Sequence, residues 1–476
     1  MSQPYVETTE LDGALGTLPV GVKALAVIGT AGSGTAATPA TYARTSDVET
    51  AFTNGQLVEG AGYWITNYKR PAICVRAASA TPGSSGAVAH VGAGTSVVTV
   101  SVGTAVDEFE VRLRFATAGT IGAAGITFYY SVDGGRNEVG PIALGIANTY
   151  VVPGTGTTVA FGAGTILAGQ TESYTTVAPA FDSAGLAACI AALKASTVPW
   201  DLVMIAGPID ATTFDTLETA FASIPEKAWI AGFRKPTAGE SEATYKAAFE
   251  AAFAAKSTVK GGVCAGGAWI TSGISSYKYF RAITIAAATR IAFLDDEVDA
   301  AEKDRGSLPG VSIRDANGNP LHHDESVNPG LDDSRAITLR TWDEDPSVYI
   351  NNPRILSAVG SDFEFVQHRR VMNVAKAALR LYFQRRLSKK ILVSKKTGFI
   401  LESEAKEIEA GGNAVLRAVL LTKPKASAAT CTVSRTDLIL STKTLSVVAE
   451  IVPLAYPKKI ALTIGFKNPA LTVTAV

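Results

Sequence analysis

No two cysteines of this chain stand near each other. Cys74, Cys189, Cys264 and Cys431 form no Cys-x-x-Cys and have no histidine at ligand spacing. That excludes a zinc ribbon or a dithiol motif read from spacing, and fits reduced, mostly buried thiols in a protein made in a reducing cytoplasm. Charge of one sign is missing too, because 43 Lys and Arg balance 43 Asp and Glu. A chain without a basic surplus is not a general binder of nucleic acid, and near-neutrality leaves little repulsion between copies. No apolar run approaches the ~20 residues of a membrane span. The opening Met1-Ser2-Gln3-Pro4-Tyr5-Val6-Glu7 has no basic start and no secretory core, so neither export nor membrane insertion is expected.

What is present is apolar and small. Hydrophobic residues make up 47% of 476, mostly Ala, Val, Ile and Leu, with 44 Gly. This is material for two or three packed domains. Residues 1–20 carry no helical period and read as an extended arm. Val22 to Gly32 is a short apolar run ending in Gly, a buried strand. Ser46-Asp47-Val48-Glu49 looks like a capped helix start, Trp64 to Tyr68 a further helical piece, and Pro71 to Ala77 the next strand.

From 81 to 178 Gly, Thr, Val and Ser dominate and helix signals vanish. Thr95–Val102 and Phe109–Phe115 alternate at period two, and Thr127–Val132 runs into Asp133-Gly134-Gly135, a hairpin turn. This reads as a small all-β domain inserted into an α/β pattern. That pattern returns with a helix at 182–195, a strand at 201–207, a helix from Asp210 to Ser223, a strand at 228–233, a helix at 241–256 and a strand over 259–270. Such alternation predicts helices packed on a mostly parallel sheet. Residues 296–335, rich in charge, Pro, Gly and Asn, read as a surface excursion. Asp362–Leu387 is the longest helix, 403–421 another, and the last ~50 residues are β by propensity: 431–433, 445–453 and 461–466. The final Leu471 to Val476 alternates without charge.

Candidate chemistry is sparse. Gly29-Thr30-Ala31-Gly32-Ser33-Gly34 follows a strand but lacks the Lys of a phosphate loop and the order of a dinucleotide fingerprint. Asp210 and Asp295-Asp296-Glu297 follow strand-like runs. They suit helix caps or solvent better than Mg²⁺. His322-His323-Asp324-Glu325 suits a solvated turn better than a metal. No catalytic, cofactor or metal residue is assigned. On the long helix Arg369, Lys376 and Arg380 recur at spacings of seven and four and so share a face. The neighbouring Arg370, Arg385, Arg386, Lys389, Lys390, Lys395 and Lys396 extend the basic series.

Three stretches, taken in order, resemble the sheath proteins of contractile phage tails and related injection systems. The first is the arm with Ala24 to Gly34, Pro39 and the Ser46–Phe52 helix. The second is Arg340-Thr341-Trp342 through Tyr349-Ile350-Asn351-Asn352-Pro353-Arg354 into the long helix, where Asn352-Pro353-Arg354 stands in place of the family's usual arginine pair. The third is Leu445 to Phe466. The resemblance covers about the first 75 and last 140 residues. It implies an arm (1–20), an α/β core (21–80 and 179–335, with a surface loop at 296–335), an inserted β-rich outer domain (81–178) and a C-terminal α+β domain (336–476) ending in a linking strand. It implies a non-enzymatic subunit without cofactor, polymerising helically round a tail tube and contracting to drive the tube through a host envelope. Its partners are then copies of itself, the tube protein, and baseplate and terminator proteins, in a virion tail assembled in a bacterial cytoplasm. By the same resemblance Tyr5, Val6, Leu471, Val473 and Val476 lie on strands shared with neighbouring copies, and Arg369, Lys376 and Arg380 face the tube. An α/β nucleotide-using enzyme would instead keep a bound ligand through purification, or lose an activity on changing Asp210 or Asp295, and a tail-tip adhesin would form a trimer.

Overall fold

The computed structural model describes residues 24–314 and 323–466. The expected linking residues Tyr5, Val6, Leu471, Val473 and Val476 lie outside them, as does His322. The chain divides into two compact units, residues 1–380 and 381–476.

The first unit is built on a six-stranded sheet. Its strands are β1 (Leu25–Gly29), β2 (Ala40–Tyr42), β3 (Ala72–Arg76), β15 (Leu202–Pro208), β16 (Ala228–Gly232) and β17 (Gly261–Cys264). They lie in the order β17-β16-β15-β1-β3-β2, all parallel except β2. Helices cover both faces, so these strands are apolar at nearly every position. Leu25 and Val27 point into the core beneath α2 (Gln56–Tyr68) and α6 (Thr284–Phe293). Ala26 and Ile28 point into the opposite core, under α3 (Ser183–Ala195), α4 (Ala211–Ala222) and α5 (Glu242–Phe253). Asp210 caps α4: its carboxylate accepts from the N–H groups of Thr212 and Thr213. Ser46 is not a cap. Helix α1 (Thr45–Phe52) begins one residue earlier, after Arg44 in extended backbone with no side-chain cap, and the Ser46 hydroxyl donates to Asp47. Helix α2 starts well before Trp64, at Gly55, whose φ of 135° suits only glycine.

Between β3 and α3 the chain forms strands and no helix, from β4 (Ser84–Ser85) to β14 (Thr171–Val177). Strands β7 (Glu110–Phe115), β9 (Thr127–Ser131) and β10 (Val139–Ala143) make antiparallel ladders beside β14, around a core of Val111, Leu113, Phe115 and Phe128. The 95–102 run contributes only β6 (Val98–Val100). The loop after β9 is longer than a two-residue turn, because the Asp133 carboxylate accepts from both the backbone and the side chain of Asn137. Where the chain leaves the main sheet and where it returns, Thr81 and Ala180 pair as an antiparallel bridge.

Two expectations are corrected here. The 259–270 run is two strands, not one: at Ala265-Gly266 (φ 122° at Gly266) the chain leaves β17 and enters β18 (Gly267–Thr271), which pairs with β19 (Lys278–Ala282) and β20 (Val311–Ser312). The polar 296–335 stretch, over its described residues 296–314 and 323–335, is not wholly a surface excursion: it is exposed at 302–306 and 326–329 but turns inward between them. Asp296, Leu308, Ile313, His323, Asp324 and Leu331 are buried. Their polar groups are satisfied internally, Asp324 accepting from Ser326, Thr341 and Arg314. Residues 336–380 belong with the first unit. Ile337 exchanges backbone hydrogen bonds with Val263 and Ala265, and Leu356 N–H donates to Gly261, so this segment lengthens the main sheet beside β17. It includes the hairpin β21 (Leu339–Trp342) and β22 (Asp345–Ile350) and leads into α7 (Val366–Gln384).

The second unit packs α8 (Glu402–Leu416) on the antiparallel pair β23 (Ala426–Val433) and β24 (Val447–Pro453). Its mid-helix glycines are required by close approach. A Cβ on Gly411 would lie 1.9 Å from the Tyr382 hydroxyl, and one on Gly412 2.6 Å from Cys431 Sγ.

Candidate functional site

The basic residues of α7 do not form one exposed stripe. Arg369 is 3% exposed, lies over the ring of Phe363 and has no hydrogen bond at Nε. Burial holds it below the ordinary guanidinium range, with Glu218 working the other way. Arg370 is structural: its guanidinium donates to the carbonyls of Ile291 and Leu294 at the end of α6, 2.8 and 2.9 Å away, and ion-pairs with Asp296 at 3.3 Å. That pair accounts for the acid at Asp296. Arg380 is half-exposed and held in a two-pronged bond to Glu226, at 2.8 and 2.6 Å. Lys376 is exposed. Partial burial and then Arg369 depress its pKa, and burial followed by Arg369 does the same to Lys260 at the start of β17. The result is a local excess of positive charge with Lys376 and Arg380 outermost. The i, i+7, i+11 spacing placed these residues on one face, but helical spacing does not say how deep a face lies.

The Gly29–Gly34 loop is already occupied by its own chain. Gly32 N–H donates to Asn54, Ser33 N–H to Phe52, and Leu57 N–H to Thr30. The Gly32 and Ser33 N–H groups are among those that a phosphate cradle in this loop would need free. The Thr30 hydroxyl donates to Pro179 across the point where the strand order reverses, between β1 and β15, and Thr30 is fully buried. Asp210 is spent on its helix, which holds its carboxyl below the usual range. His323, Asp324 and Glu325 are inward-facing, not a solvated turn, and do not converge on one point.

A cavity of about 730 Å³ lies between the β-rich segment and the carboxyl ends of β15 and β16. Its polar groups are largely paired with one another. Lys235 meets Glu108 at 2.8 Å, Arg234 holds Glu240, and Arg136 stacks on Trp269 at 3.7 Å. At its floor Arg281 donates to Asp107 at 2.7 Å and stands 3.7 Å from Glu59, all three out of contact with solvent or nearly so. These contacts fasten the β-rich segment to the α/β core. The sequence showed no sign of them, since Glu59, Asp107 and Arg281 belong to three unrelated elements.

In the second unit β23 and β24 pair only with each other among the described residues, so each has an open edge. Val448 and Val452 are more than half exposed. Beyond them Ile460, Leu462, Ile464 and Phe466 alternate at period two and are 80%, 77%, 83% and 109% exposed. The 461–466 stretch, expected as a strand, pairs with no described strand of its own chain. An apolar, alternating segment left in water, following in sequence a sheet with open edges, is a template for pairing with another chain. Cys431 is 1% exposed and turned under α8, and Cys74 and Cys264 are sealed in the main core, where burial pushes their thiols up. All four cysteines are free and buried, so none is placed for a bridge to a neighbour.

No family model and no curated protein sequence matches the chain. Solved structures do. The PVC sheath complex of an extracellular contractile injection system, in its contracted state, matches over 99% of this chain and 99% of its own, with a TM-score of 0.56 at 10% identity. The contracted helical sheath of the anti-feeding prophage (AFP) matches over 98% of this chain and 100% of its own, with a TM-score of 0.51 at 11% identity. This chain has the contractile-sheath fold. The resemblance drawn from residues at the two ends of the chain is therefore met by likeness along nearly all of it.

Proposed function

We propose that the chain is a non-enzymatic structural subunit of a contractile sheath, polymerising with copies of itself around a tube and shortening to drive that tube through an envelope. The observation that carries this reading is the Ile460–Phe466 segment, apolar at alternate positions, exposed, and following in sequence a two-stranded sheet with open edges. Backbone hydrogen bonds across chains join subunits without demanding particular side chains, and they survive while rigid bodies repack around them. The arms carrying Tyr5 and Val6 at one end and Leu471, Val473 and Val476 at the other complete the linkage. The β-rich segment faces outward from the core. Lys376 and Arg380 meet an acidic tube, with Arg369 behind them as buried support. Baseplate and terminator proteins close the ends of the polymer, which belongs to a phage tail or to an injection system of the same design. The used-up amides of the Gly29–Gly34 loop weigh against the nucleotide-enzyme alternative.

Ending the chain after Pro457 tests the reading. The five tryptophans all lie before residue 381, so their fluorescence should show the first unit unchanged, while electron microscopy should show monomers in place of long tubes. Truncated chains that still build tubes and contract intact would overturn it.

A further inference from the structure

His323 is 3% exposed and stands between two carboxylates. Its Nδ1 meets Oε1 of Glu242, in the first turn of α5, and its Nε2 lies 2.8 Å from Oε2 of Glu325. The other Glu325 oxygen accepts from the N–H of Gly330 at 2.7 Å and of Asp332 at 3.4 Å. The imidazole thus joins a helix to the turn that follows it in space. A carboxylate can only accept, and a neutral imidazole donates from one nitrogen alone. In the neutral form one of the two contacts sets a ring lone pair against a carboxylate oxygen. In the imidazolium both are charge-assisted hydrogen bonds.

The geometry points to His323 as a proton-operated clasp: doubly protonated, it fastens the 323–332 turn to the first turn of α5, and loss of one proton releases that turn. The other charged groups packed around it have partners of their own. Asp324 is held by Ser326, Thr341 and Arg314, Asp332 by Arg354 and Asn352, and Lys246 on α5 pairs with Glu250 at 3.9 Å. Burial opposes the imidazolium, but the bonds to Glu325 and Glu242 outweigh it and hold the His323 pKa above the ordinary imidazole value. Glu325, despite its burial, is held below the carboxylate range by His323 and the Gly330 N–H. Because the folded value is raised, the clasp contributes fully below about pH 6.5, the unfolded value, and its contribution is lost as pH rises through the folded one. The base of the turn stays anchored, since Glu325 N–H donates to Leu339 on β21. Release is therefore local, freeing the exposed Val327-Asn328-Pro329 tip. This inference is independent of the sheath reading.

Hydrogen exchange of the full chain, followed by mass spectrometry at pH 6 and pH 9, tests it. Rates are normalised to intrinsic chemistry, with β1 as the internal reference. Protection over 323–332 should fall about tenfold at the higher pH, the loss expected when one charge-assisted hydrogen bond is broken, while β1 stays constant. His323→Gln should show the low-protection state at both pH values. Glu242→Gln, at a partly exposed position, offers an amide N–H to a neutral ring and should flatten the pH dependence even if His323→Gln does not fold. Equal protection at the two pH values in the unmutated chain, or an undiminished pH dependence in Glu242→Gln, would overturn the clasp.

Discussion

Replacing Arg281 with Met removes the cation at the floor of the cavity and leaves Glu59 and Asp107 facing each other inside the protein. Asp107 is buried and Glu59 largely so, and in the intact chain burial raises each above its ordinary range while Arg281 pulls it down. Breaking a buried pair by deleting one partner costs about 3–5 kcal/mol, mostly as the desolvation of the stranded charge. The carboxyls can escape by taking up protons. Their folded pKa values then rise further above the unfolded ones, so the loss is smallest at low pH and grows as pH rises through the folded values. Arg281→Met should therefore destabilise the first unit by about 1–2 kcal/mol at pH 5 and by the full ~3–5 kcal/mol at pH 8. Urea unfolding followed by tryptophan fluorescence reads this unit alone, because every tryptophan lies within it. The variant Glu59→Gln/Asp107→Asn/Arg281→Met removes the charges together and should recover most of the loss with little pH dependence. A loss under ~1 kcal/mol at pH 8, or a triple variant no better than the single one, would refute the view that these charges fasten the β-rich segment.

Gly273 packs against α2, where a Cβ would lie 2.2 Å from the Gly62 carbonyl, so Gly273→Ala should destabilise the first unit by about 1–3 kcal/mol in the same urea assay. Lys376→Glu should weaken co-sedimentation with an acidic tube about tenfold without altering the fold. Salt near 1 M, where the screening length is ~3 Å, should weaken the unmutated protein likewise, and indifference to both would remove α7 from the docking surface.

Much of the chain was legible because its signals are local. Strand β1 is an apolar run closed by Gly29, Asp210 sits where a helix needs a cap, and the Thr-, Val- and Gly-rich stretch between β3 and α3 has no helical period to misread. The basic face of α7 was legible as a face, yet Arg369 lies beneath the surface and Arg370 holds the end of α6, because depth and partner come from segments distant in sequence.

The sequence by itself determined which residues alternate, where caps and breaks fall, and that a charge-balanced chain with alternating apolar segments suits self-association. Only the tertiary structure decided that Asp296, Asp324 and Asp332 of the polar 296–335 stretch turn inward, since they find Arg370, Arg314 and Arg354 there. It alone bent the 259–270 run at Gly266, because the main sheet continues through Ile337 and not through β18. It also left Ile460 to Phe466 without a partner in its own chain. Strand propensity is a property of the residues, but a strand forms only where another backbone offers its free N–H and C=O groups.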